Sequence, residues 1–540
     1  LLVIIVPAVG GVIVGLMALY GSKAIRGHGI PEAMEQILTN NSKIKPTITY
    51  LKPISSAIAI GTGGPFGAEG PIIATGGALG STVGQLLKIS HYERKVLLAA
   101  GATAGMSAIF SSPVAGIFLA IELLLFEFSA GSIIPVALAC ITGAAGHHFL
   151  FEPGPVFAIT EHLASPGNGA LFVYSICGVL IGLISVGVTK IVYLIEDAFE
   201  KLPIHWMWWP AIGGLFVGII GYFNPRTLGV GYNNITDVLS ASMPLQVVVM
   251  LCLMKFASWA VALGSGTSGG TLAPLLTIGG ATGAIMGVIA QKLFPDAGIS
   301  VSMAALVGMS AMFAGASRAL LTSIIFALET TGQVNALVPL LAACTIAYFI
   351  SIYLMENTIM TEKIARRGVR TPVSYKPDIL DQLTVQQVID KNPLILEFDT
   401  TVADAKKWIN EHAGFKAKHL IVLDETGYFK GLVPMSVLNQ KDINETDRLS
   451  MFAVPGDDFV RMDDGLKTAV LKMANDKKDV LPVLGKDNYI CGVLEYANLL
   501  RAYKLEAANH TSGRPVISLK LRSLKLLVRG QRIIQTSKDR

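Results

Sequence analysis

The sequence predicts a helical protein that crosses a membrane many times, built from two duplicated halves with broken helices and followed by a water-facing α/β region. Three observations carry that expectation. The 540-residue chain is 52% hydrophobic and 15% charged, with a mean hydropathy of +0.56, whereas soluble domains carry about 25% charged residues. The apolar character is uneven: residues 1 to 360 form long segments rich in Gly, Ala, Ile and Leu, and charges become frequent only after residue 370. A Gly/Pro-rich block in the first half also recurs in the second.

Leu1 opens a hydrophobic segment over residues 1–20 without an initiator Met or a signal-peptide n-region, so upstream residues, including whole helices, are expected. Next comes Gly27-His28-Gly29-Ile30-Pro31. Glu69 then stands as the one charged side chain between Pro53 and Leu87, inside Gly61-Thr-Gly-Gly-Pro-Phe-Gly-Ala-Glu-Gly-Pro71. A carboxylate in a membrane-grade apolar stretch is costly and marks a functional site by default. The surrounding glycines and Pro71 suit the start of a helix, where backbone N–H groups and the positive dipole end favour an anion. An acid held there competes with the anion for the same place, which is the physics of a gate.

From Gly61 to Gly264 the offset is 203, and it pairs Gly63, Gly67, Pro71, Gly76, Gly77, Gly80 and Gly84 with Gly266, Gly270, Pro274, Gly279, Gly280, Gly283 and Gly287. Glu69 meets Leu272. A second block, at an offset of 207, pairs Gly101 with Gly308 and Glu122 with Glu329, and Gly27-His-Gly-Ile is weakly similar to Gly229-Val-Gly-Tyr. Duplicated, interrupted hydrophobic segments point to a transporter-like repeat fold with its site near the midplane. Helix packing through small residues accounts for Gly76, Gly80 and Gly84 and their partners; it does not account for the irregular run at 61–67. A dinucleotide-binding loop fits poorly, because Phe66 falls where its last glycine belongs. The five cysteines lack metal or disulfide spacing and read as small apolar packing residues.

These residues resemble the CLC family of chloride channels and chloride/proton exchangers, whose anion-site motifs G-S-G-I-P, G-[KR]-E-G-P and G-x-F-x-P correspond to Gly27-His-Gly-Ile-Pro31, Gly67-Ala-Glu-Gly-Pro71 and Gly270-Thr-Leu-Ala-Pro274. The similarity runs through residues 1–368. It implies two inverted-topology halves, about 1–165 and 166–368, a homodimer with one pore per subunit, and chloride or a similar small anion as substrate. It also implies a multi-pass protein of the plasma (cell inner) membrane, needing no cofactor and no nucleic acid. By the resemblance Glu69 is the gating glutamate, and Gly27, His28, Gly29, Gly67, Ala68, Gly70, Thr271, Leu272 and Met360 are the anion-binding positions. Uncharged donors suit a conducting anion, because they replace hydration without a deep electrostatic well.

The chain departs from the family pattern in four places. His28 stands where the central-site serine is expected: either its N–H donates to the anion and makes conduction pH-sensitive, or its ring packs elsewhere. Aligned on Lys363-Ile-Ala-Arg-Arg367, the central tyrosine falls on Met360, whose thioether donates no hydrogen bond. Leu272 replaces the phenylalanine of the third motif. Leu123, after Glu122, stands where exchangers carry an internal proton acceptor, and Glu127 is a substitute only about one helical turn away. These departures favour a channel gated by Glu69, with a proton-coupled exchanger as the alternative. A cation transporter would need converging intramembrane acids, and an enzyme a nucleophile–base pair; neither pattern stands out.

Past residue 368 two similar half-modules alternate amphipathic helices with apolar strands, an α/β reading. They resemble a cytoplasmic tandem of CBS domains, 369–445 and 446–504, followed by a basic tail over 505–540. CBS pairs bind adenine nucleotides through an Asp near the last strand–helix turn. The matching positions are Val437 and Asn498, so dimerisation or modulation of gating is expected ahead of nucleotide binding. The tail holds eight Lys/Arg against Glu506 and Asp539, leaving the rest of the +5 chain near neutral. It suits either anionic lipid or packing on the soluble modules.

Overall fold

In the computed structural model, residues 1–511 are described apart from 152–153, 160, 162, 373–379, 381–382, 390–393, 412–418, 439, 441–442, 455–458 and 486–488. The interleaved basic and apolar stretch expected at 516–534 lies outside these residues. The chain forms two compact units, meeting in sequence at residues 375 and 376.

The first unit is helical. Among the described residues, seven helices are long and apolar enough to cross a membrane: α1 (Leu2–Tyr20), α7 (Ala130–Leu150), α8 (Asn168–Glu200), the Trp206–Phe223 segment containing α9 (Trp209–Phe223), α11 (Leu245–Gly264), α12 (Leu272–Leu293), and the Val334–Leu354 segment containing α15 (Leu337–Leu354). Other helices lie between and after them: α2 (Ile30–Thr39), α3 (Ile48–Gly61), α4 (Glu69–Leu86), α5 (His91–Phe110), α6 (Pro113–Leu119), α10 (Tyr232–Leu239), α13 (Val301–Ser317), α14 (Leu320–Thr331) and α16 (Glu362–Arg366). Many of their exposed side chains are Leu, Ile, Val and Phe, as on α1, α7 and α8. That inverts the soluble pattern and fits lipid as the solvent.

The repeat is visible in the packing. Helix α4 lies along α5 as α12 lies along α13. Both seams close through the glycines expected to pack helices: a Cβ at Gly76 would sit 2.2 Å from the Gly101 carbonyl oxygen, and one at Gly279 2.6 Å from that of Gly308. Backbones that close gain dispersion contact in a medium that supplies no hydrophobic drive between helices.

A second set of contacts is reciprocal. Glu122, in the π-helical stretch Ala120–Leu125 that continues α6, accepts the N–H groups of Leu321 and Thr322 (2.9 Å each) and the Thr322 hydroxyl (2.7 Å) at the start of α14. Glu329, in α14, accepts the N–H groups of Val114 (3.0 Å) and Ala115 (2.8 Å) at the start of α6. Each half thus caps a helix of the other, as a twofold relation between inverted halves requires. Carboxylates satisfy orphan first-turn donors and suit the helix dipole. Glu329→Gln should therefore cost about 0.5–2 kcal/mol, read as a lower midpoint of thermal unfolding in detergent; an unchanged midpoint would show that the cap carries no load.

The second unit repeats one small motif. Strands β1 (Ile395–Glu397), β2 (His419–Leu423) and β3 (Phe429–Pro434) form a sheet of order β1-β2-β3, parallel and then antiparallel. Strands β4 (Val460–Arg461), β5 (Val480–Leu484) and β6 (Ile490–Glu495) form a second sheet of the same order and sense. Helices Val402–Glu411 and Leu466–Asn475 make the two crossovers. The arrangement is compatible with a CBS pair. Ile421 and Leu432 of one sheet share a core cluster with Val493 of the other, and His419 Nδ1 lies 3.0 Å from Glu495 Oε1. At the second ribose position, Asn498 is engaged internally: its Oδ1 accepts the Glu495 N–H at 2.7 Å and its Nδ2 donates to Val388 O at 3.2 Å.

Candidate anion site

Three interrupted segments meet. Gly67 and Gly270 exchange backbone hydrogen bonds at 3.3 and 2.9 Å, and the Gly27 N–H donates to Thr267 O at 3.0 Å. The first and second motifs touch backbone to backbone. A Cβ on Gly29 would lie 2.1 Å from Gly70 O, and one on Gly70 would lie 1.8 Å from His28 O. Gly29 also has φ +95°, which only glycine adopts without strain. No other residue fits this crossing, which explains why both motifs need glycine there.

Each motif opens a helix. Helices α2, α4 and α12 begin at Ile30, Glu69 and Leu272, and none has a hydrogen bond from its N-cap side chain. Pro31, Pro71 and Pro274 fall within the first three helical positions, so the donor they lack is one that would have been orphaned anyway. The remaining first-turn N–H groups of α4 and α12 have no intrahelical acceptor. Among the predicted positions, those of Gly70 and Leu272 are such donors. The donors of Gly27 and Gly67 serve the bonds that join the segments. That of Gly29 donates to Glu32 Oε2 at 2.7 Å, while Glu32 Oε1 pairs with Lys363 Nζ at 2.7 Å. Gly29 therefore contributes the turn rather than a free donor.

Glu69 is fully buried at this crossing. Its Oε1 accepts the Tyr232 hydroxyl at 3.0 Å, and its buried Oε2 has no hydrogen-bond partner among the described residues. That same Oε2 lies 1.7 Å from where a Cβ on Gly67 would stand and 3.1 Å from one on Gly270. The carboxylate is thus folded back between the second and third motifs.

His28 is buried, and its Nδ1 likewise has no hydrogen-bond partner among the described residues. Ala68 is the N-cap of α4, and Thr271, the N-cap of α12, has a buried unpartnered hydroxyl. Met360 is fully buried between α15 and α16, with its N–H on Thr358 Oγ1 at 3.2 Å. Lys363, three residues on, joins that segment to the first motif through Glu32.

Sequence reasoning missed two lysines. Lys52 in α3 is buried and donates to the carbonyls of Ile25 and Gly27, both at 2.7 Å. Lys255 in α11 is buried and donates to those of Thr227 (3.0 Å) and Gly229 (2.9 Å). They are repeat partners at the same offset of 203, each pinning the loop before a short broken helix. Neither has a carboxylate in its hydrogen-bond shell among the described residues. Lys255 is the cation whose field reaches Glu69. Tyr232 was also missed, although its segment had been matched to the first motif.

Leu123 lines a cavity of about 790 Å³, with Glu122, Phe126, Arg318, Glu356 and Glu362 also on its wall. Glu127 is paired with Lys95 at 2.9 Å. No cluster of His, Cys, Asp or Glu suited to a metal occurs among the described residues.

Apposed helix starts, a buried carboxylate between them and two buried lysines make this a candidate functional site within the helical unit. The sequence profile described as "Voltage gated chloride channel" matches residues 10–352, and the chain belongs to that family of transport proteins. It is 28% identical over 494 residues to "Chloride channel protein CLC-f" of Arabidopsis thaliana, covering 80% of this chain and 61% of that protein's length. It is 27% identical over 381 residues to the "Putative chloride channel protein ClcB-like" of Ralstonia nicotianae, covering 69% and 89%. It is also 29% identical over 357 residues to the "H(+)/Cl(-) exchange transporter ClcA" of Salmonella paratyphi B, covering 63% and 74%. Two solved structures share the fold. A slow cyanobacterial Cl-/H+ antiporter superimposes with a TM-score of 0.62 at 22% identity, over 68% of this chain and 86% of that one. A eukaryotic CLC transporter gives 0.57 at 19% identity, over 92% and 89%. The chain is an integral, multi-pass membrane protein.

Proposed function

We propose that the protein is a chloride-type anion channel in which the Glu69 carboxylate occupies an anion position and leaves it on protonation. The observation that carries this reading is the buried Glu69 Oε2, which has no hydrogen-bond partner among the described residues and lies where the starts of α4 and α12 converge. A dehydrated halide could take that place, with its charge met by helix dipoles and by Lys52 and Lys255 rather than by a fixed contact ion. His28, with its unpartnered Nδ1, and the buried Met360 would shape the central position. Leu123 offers no proton to a relay, which favours the channel over the exchanger. A homodimer in the plasma or cell inner membrane, with the CBS-like pair in the cytoplasm modulating the gate, completes the proposal.

A second reading as a proton-coupled exchanger is favoured by Glu356 and Glu362, acids on the wall of the cavity that Leu123 lines. Proteoliposomes holding the full chain separate the two. A channel releases chloride when valinomycin shunts the potential, and a chloride gradient moves no protons uphill. Uphill proton movement, abolished by Glu362→Gln, would establish the exchanger and remove the channel.

A further inference from the structure

We propose that the Tyr232 hydroxyl is an anion ligand of the conducting state, supplying the side-chain O–H that Met360 cannot. The inference rests on the gate reading above and goes past it, because it concerns what faces the anion once Glu69 has left. Tyr232 is the first residue of α10, so its position is set by a helix start. The preceding loop, Gly229-Val230-Gly231, has positive φ at both glycines, and Lys255 holds the carbonyl of Gly229 together with that of Thr227 just before it. In the repeat register Tyr232 falls on Ile30, opposite the first anion motif.

The ring is fixed on two sides. Phe110 and Phe157 meet it edge-on, each with centroids 5.8 Å away. Such edge contacts hold an aromatic ring in one orientation. The hydroxyl therefore points at Glu69 Oε1 because the scaffold aims it there. A phenol O–H is both donor and acceptor, but toward a carboxylate it donates. Tyr232 is partly exposed while Glu69 is fully buried, so the ring borders open space as well as the gate. When the carboxylate departs, the donor stays behind in a low-dielectric setting where an unpaired polar group is costly. An incoming halide satisfies it. The same O–H thus steadies the closed gate and then receives the anion.

The test needs a background without the gate side chain. In purified Glu69→Ala protein, chloride affinity is measured by titration calorimetry, and thiocyanate affinity beside it. Adding Tyr232→Phe should weaken chloride binding about 10- to 150-fold, the range for one hydrogen bond to a charged group. Thiocyanate, a weaker hydrogen-bond acceptor, should lose less, so selectivity shifts with affinity. Phe keeps the ring packing, and a matching elution volume on size exclusion verifies assembly. Equal chloride affinities with and without the hydroxyl overturn the inference, as does an equal loss for both anions. If Glu69→Ala itself neither binds nor passes anions, the gate reading fails instead, and the two failures are told apart.

Discussion

Glu69→Gln should conduct at neutral pH and should lose its response to acid. The amide matches the carboxylate in size and still accepts the Tyr232 hydroxyl, so steric fit and that hydrogen bond are retained. What disappears is the negative charge that the helix starts and Lys255 attract into the anion position. A neutral side chain competes poorly there, and occupancy passes to the halide. Each 1.4 kcal/mol of lost competition is worth about tenfold in occupancy, so a rise of about tenfold or more in chloride flux at pH 7 is expected. The wild-type protein should conduct better as pH falls, because protonation removes the same charge, and the variant should be flat across that range. Flux measured from pH 4.5 to 8 in proteoliposomes reads both. A variant that keeps the wild-type slope would mean that another group gates the pathway.

Lys255→Met should be the most damaging substitution away from the gate. It leaves the carbonyls of Thr227 and Gly229 without their donor in a buried setting. Each orphaned group costs about 1–3 kcal/mol. It also deletes a buried amine whose charge acts on Glu69 and on an anion in its place. At an effective dielectric of about 20, unit charges several ångströms apart interact by on the order of 2 kcal/mol. The expected result is a lower thermal midpoint together with chloride affinity about 10- to 30-fold weaker. Lys255→Arg separates the two contributions, because it keeps the charge while changing the donor geometry. If Lys255→Met loses stability and retains full affinity, the lysine is a loop anchor and nothing more.

Much of this site was legible in the chain. Glu69 stood out because a lone acid in an apolar run is too expensive to be incidental. The repeat was carried by glycines and prolines, whose backbone demands survive when side chains drift. The same logic separated the packing glycines at 76 and 80 from the irregular run before them. Lys52 escaped because it stands just before the apolar stretch that begins at Pro53, and Lys255 is its counterpart in the second half, so neither interrupts the run that made Glu69 conspicuous. Comparing the two halves at the 203-residue offset would have found them. Glu32 escaped because its role is to cap Gly29 three residues back, a local pattern readable as Gly-x-x-Glu before an apolar helix. The Tyr232–Glu69 contact joins residues 163 positions apart. Nothing local encodes it, and only the folded backbone brings them together. The CBS-like pair was legible as a duplicated strand pattern, while the internal engagement of Asn498 depends on tertiary neighbours.

The crossed carboxylates Glu122 and Glu329 also constrain how the molecule can move. Swinging one half of the membrane unit away from the other would break five charge-assisted bonds together, each worth about 1.5–3 kcal/mol. Alternating access by a rocking bundle is therefore expensive here, because each half holds a helix start of the other. Motion is left to the smallest parts, a single side chain and the solvent around it, so permeation through this scaffold is a problem of local rearrangement on a stationary frame.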